Sequence, residues 1–158
     1  MTKITLKFFL FLLPLLPIWG QTPATVIHTE ANLYQVDSLL YRSEQLVKAD
    51  KEVILRTPIK TIINLRYFTR SKDRKVFSPA DGITLINHPL LTWRISPKDI
   101  AQVLQRIRKA QQQGAVLIHC YHGADRTGIM VAMYRIIYQG WSIAAAKKRN
   151  APRPLWLS

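Results

Sequence analysis

The chain has 158 residues, of which 48% are apolar, and its 23 lysines and arginines against 9 acidic residues give a formal net charge of +14 at pH 7. This length suits one domain with one core, and the composition is that of a globular protein and not of a disordered chain. The excess of positive charge favours anionic partners, such as phosphorylated molecules, nucleic acid or an acidic membrane surface, without choosing among them.

The first 20 residues differ from the rest, with Lys3 and Lys7 ahead of the apolar run FFLFLLPLLPIWG. This pattern is typical of a secretory signal peptide, and the run is shorter than the ~20 residues that a membrane-spanning helix needs. We expect cleavage near residues 20–24, a single domain over residues 25–158 and an exported protein, periplasmic or secreted. An uncleaved N-terminal membrane anchor is the alternative.

Alternating or β-branched apolar runs predict the strands of this domain. Two short alternating runs predict strands at 33–36 and 39–42, and KTIINLR, ITLINHPL and AVLIH predict three further strands. The polar stretch between KTIINLR and ITLINHPL predicts a helical turn near residues 73–77. Two prolines in the closing NAPRPLWLS prevent a further helix, which predicts a trimmed C-terminal end.

Four segments predict helices. Ser43 suits the N-cap of a helix over EQLVKADKEVIL, and Pro97 opens a helix that Gly114 closes. The run IMVAMYRIIYQG is apolar on nearly all sides, which predicts a buried helix with Gly140 as its C-cap, and Ser142 suits the N-cap of a last helix. Strands that alternate with helices predict an α/β fold, in which helices flank a central sheet on both faces.

The only cysteine lies in LIHCYHGADRTG, which leads from a predicted strand into a predicted helix. Open α/β sheets bind ligands at the carboxyl ends of their strands, where the chain passes into a helix. Gly123 gives the loop conformational freedom, the helix start adds partial positive charge, and Arg126 supplies a bidentate fork for an anion. The same field is expected to lower the pKa of the Cys120 thiol. The loop therefore predicts a nucleophile at the floor of a phosphate cradle; a buried, inert cysteine is the alternative.

The segment HCYHGADRTG resembles the His-Cys-x5-Arg-Thr signature of the cysteine-dependent protein tyrosine and dual-specificity phosphatases. The resemblance covers roughly residues 31–148 and includes LYRSEQL, IKTIINLR, HPL and MYRIIYQGWS, which are similar to segments of bacterial members. It implies a mostly parallel central sheet, hydrolysis of phosphomonoesters through a phosphocysteine, and no metal or other cofactor.

In such a phosphatase Cys120 attacks phosphorus, Arg126 and the loop amides hold the phosphoryl group, and Thr127 helps the thiolate to leave. His119 is expected to orient the loop and not to act as a base. The residues expected to bind substrate are His119, Tyr121, His122, Gly123, Ala124, Asp125 and Arg126.

The general acid is harder to assign. The upstream region that usually carries it in this family reads HPLLTWRISPKDI, whose one aspartate, Asp99, is explained by helix capping. Asp125 lies inside the loop, as in the similar myotubularin-like phosphoinositide phosphatases, where an aspartate at this position has been assigned the acid role. We expect Asp125 to protonate the leaving oxygen; the alternatives are Asp99, water or the substrate, and a structural ion pair for Asp125. Asp73 and Asp81 lack the expected context.

The other charged residues and the histidines near Cys120 do not predict a further binding site. Arg42 and Arg66 stand at strand ends, where they either border the phosphate site or support the fold, and we favour support. His119, Cys120 and His122 lie too close together in a tight turn to converge on one metal ion. Specific nucleic-acid binding is not expected, because the basic residues are scattered without interleaved aromatic residues.

The expected partners are a phosphorylated protein, a lipid headgroup or a small phosphoester, and contact with a membrane surface is compatible with the charge. Positive charge together with Asp125 favours a highly anionic substrate, such as an inositol phosphate or a phospholipid headgroup. A phosphate-binding module without turnover and a sulfurtransferase are the alternatives from other classes.

Overall fold

The computed structural model describes residues 22–150; the predicted signal peptide and the closing stretch 151–158 lie outside the described residues. In the described part, six strands form one sheet: β1 Thr25–His28, β2 Leu33–Gln35, β3 Leu40–Ser43, β4 Ile59–Arg66, β5 Thr84–Leu90 and β6 Ala115–His119. Their order is β1-β2-β3-β6-β4-β5. The strands β3, β6, β4 and β5 are parallel, and β1 and β2 add an antiparallel edge. The predicted mostly parallel α/β sheet is confirmed.

The helices of the described residues are α1 Lys51–Leu55, α2 Pro97–Ala110, α3 Asp125–Gln139 and α4 Ile143–Asn150, with 3-10 turns at Lys48–Asp50, Asp73–Lys75 and Pro79–Asp81. Gly140 ends α3 in the left-handed conformation (φ 67°), as predicted for its C-cap. The hydroxyl of Ser142 accepts a hydrogen bond from the N–H of Ala145 at 3.2 Å, which confirms the predicted N-cap of α4. No helix within residues 22–150 is long and apolar enough to cross a membrane.

Two helix predictions are wrong in part. Ser43 is the last residue of β3 and not an N-cap, because the parallel ladder with β6 continues to the pair Ser43–His119. The helix that follows is short and starts only at Lys51. The helix α3 is not buried on all sides: Ile129 and Ile137 are 39% and 52% exposed, because only one face of α3 packs on the domain.

The core lies on both faces of the sheet. Alternate residues of β6 point to opposite sides. Val116 and Ile118 pack with α2 and α3, while Ala115 and Leu117 share a cluster with α1 and the segment after the turn Asp73–Lys75. All five residues of β6 are buried. The central strand thereby holds the residue that follows it, Cys120, in a fixed position at the carboxyl edge of the sheet.

Candidate active site

Cys120 directly follows β6, and its side chain is buried with 2% of its surface exposed. Residues 120–124 form the loop between β6 and α3, which begins at Asp125. We call residues 120–126 the cradle loop. The carboxyl ends of β3 and β4 lie on either side of β6 in parallel, so residues at these strand ends surround the loop.

The cradle loop is held from outside by its carbonyl groups. Three successive carbonyl oxygens accept hydrogen bonds: Tyr121 O from Gln45 N at 3.0 Å, His122 O from Asn32 Nδ2 at 3.1 Å, and Gly123 O from Arg42 Nη2. In a planar trans peptide the N–H points away from the carbonyl oxygen of the same unit. The amides of residues 122–124 are therefore directed to the inside of the loop, where together they form a site for an anion.

Gly123 meets two requirements at once. Its φ of +70° lies in the left-handed region, and a Cβ built there would stand 2.7 Å from the carbonyl oxygen of Ser43. The neighbouring atoms belong to the backbone at the end of β3 and cannot rotate away as a side chain can. Glycine at this position lets the loop pack directly against β3.

Two donors at the start of α3 have no hydrogen-bond partner within residues 22–150. Arg126 Nη1 donates to Leu90 O at 3.4 Å, but Arg126 Nε is buried and unpaired, as is the hydroxyl of Thr127. Thr127, which was expected to help the thiolate to leave, therefore has a hydroxyl that donates to no acceptor within these residues. Buried donors without partners are unfavourable unless a ligand satisfies them, and a tetrahedral oxyanion provides the acceptors.

Arg42 and Arg66 both contact the cradle loop. Burial lowers the pKa of Arg42 from its usual value, and the charge of nearby Cys120 opposes this effect. The guanidinium of Arg66 lies 4.8 Å from the centre of the Tyr121 ring and donates to Gln45 Oε1 at 2.8 Å. Both arginines support the loop from the strand ends at which the sequence placed them.

No pattern in the sequence pointed to the buried carboxylate beneath the loop. Asp73, in a stretch of charged residues, is 3% exposed. Its Oδ1 accepts from Gln45 Nε2 at 2.8 Å, and its Oδ2 accepts from Asn64 Nδ2 at 2.8 Å and lies 3.1 Å from His119 Nε2. Burial alone would raise the pKa of Asp73, but hydrogen bonds and the charge of His119 outweigh it and leave the pKa below its usual value.

His119 links this carboxylate to the loop. Its ring is fully buried, with Nε2 facing Asp73 and Nδ1 lying 3.2 Å from the carbonyl oxygen of Cys120. The ring therefore contacts the loop backbone, as expected for a residue that orients the loop. His122 is exposed, and its ring packs edge-on against Tyr121.

The two candidate acids occupy different surroundings. Asp125 is exposed at the first position of α3 and makes no salt bridge with any residue in the described part of the chain. Asp99 is the third residue of α2 and forms a capping box with the N-cap Ser96: hydrogen bonds from the backbone N–H and the hydroxyl of Ser96 hold the pKa of Asp99 below the usual value. A carboxylate engaged in this way is a poor proton donor. Asp99 also borders a cleft of about 350 Å³ that Tyr67, Leu90 and Arg94 line.

A buried cysteine at the base of an inward-facing amide loop, between a parallel strand and a helix, defines the class of cysteine-dependent phosphatase folds. The chain belongs to this class: residues 15–153 match the family described as DSP-PTPase phosphatase fused to NAD+ kinase. It is a member of the dual-specificity-like, cysteine-dependent phosphatase family, as the signature implied.

The relatives agree with this assignment. The chain is 32% identical to the dual specificity protein phosphatase TpbA of Pseudomonas aeruginosa strain UCBPP-PA14 over 133 residues, which cover 84% of this chain and 57% of TpbA. The crystal structure of a cysteine-to-serine form of P. aeruginosa TpbA in complex with pTyr superimposes with a TM-score of 0.77 at 28% identity, covering 84% of this chain and 80% of that one. The core catalytic domain of the PP-IP phosphatase SIW14 from S. cerevisiae shares the fold, with a TM-score of 0.68 at 23% identity and 80% coverage of each chain.

Proposed function

We propose that this chain hydrolyses phosphomonoesters of phosphoproteins, phosphotyrosine above all, through a phosphocysteine intermediate. The observation that carries the proposal is the set of outward-held carbonyls and unpaired buried donors around a single buried cysteine. Family membership supports the same chemistry. The chain spans 57% of the length of TpbA.

In the first step, the sulfur of Cys120 attacks phosphorus in line with the leaving oxygen. The S–P bond forms as the P–O ester bond breaks, while the loop amides and Arg126 bind the phosphoryl oxygens. The leaving oxygen takes a proton from a general acid. In the second step water attacks phosphorus and returns a proton to the conjugate base of that acid. The S–P bond breaks, inorganic phosphate forms, and Thr127 is placed to donate a hydrogen bond to the departing thiolate.

The general acid we propose is Asp125. It stands on the first turn of α3, next to Arg126, and its exposed side chain is free of salt bridges within the described residues. Asp99 is the weaker candidate, because its carboxylate is engaged with the N-cap Ser96 in the capping box of α2.

Phosphotyrosine is favoured as substrate by two observations. The TpbA complex with pTyr involves a protein that is 28% identical over most of this chain. The cleft lined by Tyr67, Leu90 and Arg94 adjoins the cradle, because Leu90 O accepts from Arg126 Nη1. This cleft offers an apolar and basic surface beside the cradle that can bind an aromatic leaving group and the peptide that bears it.

We also propose that the protein is exported by its N-terminal signal peptide, on the basis of residues 1–20 alone. Expression of the full chain in a bacterial host and N-terminal sequencing of the mature protein test this. A new N-terminus near residues 20–24 is expected, and a chain that starts at residue 1 in the membrane fraction would favour the anchor.

Turnover of p-nitrophenyl phosphate and of a phosphotyrosyl peptide by the purified chain tests the main proposal. We expect Cys120→Ser to reduce turnover at least ~10³-fold, while it still binds vanadate. Acid quenching during turnover is expected to trap phosphate on Cys120. Vanadate binding without release of p-nitrophenol would identify a phosphate-binding module, and faster turnover of inositol phosphates than of the peptide would overturn the substrate assignment.

Asp125→Asn distinguishes a general-acid role of Asp125 from a structural role in support of the loop. An acid matters most when the leaving group is poor, so we expect a loss of ~10²-fold or more on an alkyl phosphate and a much smaller loss on p-nitrophenyl phosphate. Asp99→Asn is the matched control, with equal effects on both substrates. Small and equal effects of Asp125→Asn would refute its acid role.

A further inference from the structure

Asp73 joins three segments that meet under the cradle loop. Its two oxygens contact Gln45, just after β3, Asn64 in β4, and His119 at the end of β6, at 2.8, 2.8 and 3.1 Å. Two of these residues contact the loop backbone themselves: Gln45 N donates to Tyr121 O, and His119 Nδ1 lies 3.2 Å from Cys120 O. One buried carboxylate thus stands behind the residues that contact the carbonyl groups of Cys120 and Tyr121.

The His119 ring has an acceptor oxygen at each nitrogen. A neutral ring can donate a hydrogen bond to only one of these two oxygens, whereas the imidazolium can donate to both. A buried positive ring is stable only beside a counter-charge, and Asp73 is the acidic residue in contact with it. The depressed pKa of Asp73 agrees with an ionised carboxylate at this position.

We infer that Asp73 is a positioning residue for the nucleophile: it holds His119 as an imidazolium, and His119 in turn fixes the Cys120 carbonyl and adds positive charge beside the thiolate. This role rests on the proposed function, since it assigns the support of that same cysteine. With the Cys120 carbonyl held outward, the N–H of Tyr121 joins the inward-facing amides.

Three basic residues surround the cradle loop from three elements: Arg42 from β3, Arg126 at the start of α3 and His119 from β6. Arg66 approaches the same network through Gln45 Oε1, and Asp73 is its negative member. Neutralising Asp73 removes the counter-charge that keeps His119 protonated, while the charges of Arg42 and Arg126 remain. The effect on the thiolate of Cys120 is therefore partial and measurable.

The test is Asp73→Asn, read by the rate of iodoacetamide alkylation against pH. Cys120 is the only cysteine of the chain, so the rate reports on it alone. We expect the pH midpoint to move upward, with the rate near pH 6 about three- to tenfold lower, and vanadate affinity to fall by a similar factor. Asp81→Asn is the matched control, because it removes the same charge from a carboxylate that caps a 3-10 turn and pairs with Lys51.

A purely structural role predicts a different outcome. The amide that Asp73→Asn introduces would face hydrogen-bond donors, so some loss of thermal stability is expected on either account. If Asp73→Asn lowers stability but leaves the alkylation midpoint unchanged, the inference is overturned. If Asp73 acts through His119, the two substitutions are not additive. In a His119→Asn background, Asp73→Asn should shift the pH midpoint of Cys120 alkylation no further.

One measurement needs no variant of Asp73. Proton–nitrogen correlation spectra of the native chain, assigned with His119→Asn, are expected to show a proton on both ring nitrogens of His119. A singly protonated ring would refute the inference even if Asp73→Asn does not fold. Neither alkylation nor the spectra require turnover. A chain without phosphatase activity would refute the proposed function, while these two measurements would still decide the role of Asp73.

Discussion

Replacement of Gly123 by alanine tests whether the cradle loop must pack on the backbone of β3. The left-handed φ of +70° costs a residue with a Cβ about 1–2 kcal/mol. The added methyl would stand 2.7 Å from Ser43 O and 2.9 Å from Ser43 C, where ordinary contacts begin near 3.4 Å. Overpacking of this kind costs about 1–3 kcal/mol more, since backbone must move.

Gly82→Ala isolates the steric part of this effect. Gly82 has nearly the same φ, +67°, but nothing lies within 4 Å of a Cβ built there, so only the conformational cost applies. A domain of this size loses about 2–4 °C of melting temperature per kcal/mol. We therefore expect Gly123→Ala to melt about 2–12 °C below Gly82→Ala.

The activity of the two variants should differ more than their stability. Displacement of the loop amides by a fraction of an ångström or more is expected to lower kcat/KM for p-nitrophenyl phosphate by ~10²-fold in Gly123→Ala and to leave Gly82→Ala unchanged. Calorimetry with vanadate gives the corresponding loss of affinity. Equal melting temperatures and equal vanadate binding in the two variants would show that the loop does not depend on this contact.

Three further outcomes follow from the site and its surroundings. Arg42→Met removes the donor to Gly123 O, and vanadate affinity measured by calorimetry should fall about tenfold; undiminished binding would argue against this support. Because the pKa of Asp73 is depressed in the folded chain, the ionised carboxylate stabilises the fold above about pH 4, and this contribution is lost as pH falls through the folded-state pKa. In urea unfolding, the free energy of unfolding should therefore fall less on acidification in Asp73→Asn than in the native chain. Burial raises the pKa of Tyr134 to about 12, so alkaline absorbance titration should lose its highest step in Tyr134→Phe; tyrosines that all titrate near 10 would contradict this.

The amino-acid sequence determined five of the six described strands, the main helices and the place of the cradle loop, because these features depend on local patterns; the edge strand β1 was not predicted. Apolar runs marked β4, β5 and β6, Pro97 and Gly140 marked helix ends, and the signature around Cys120 is contiguous in the chain. The same reasoning misread Ser43, since a parallel ladder with a strand far along the chain decides where β3 ends.

The tertiary structure alone decided what supports the loop. Asn32 reaches His122 across 90 positions and Asp73 reaches His119 across 46, and neither pairing leaves a periodic trace in the sequence. Asp73 stands among exposed arginines and lysines, so its neighbours predict a solvated carboxylate. Only the convergence of three strand ends removes it from water and supplies the donors that make its burial favourable.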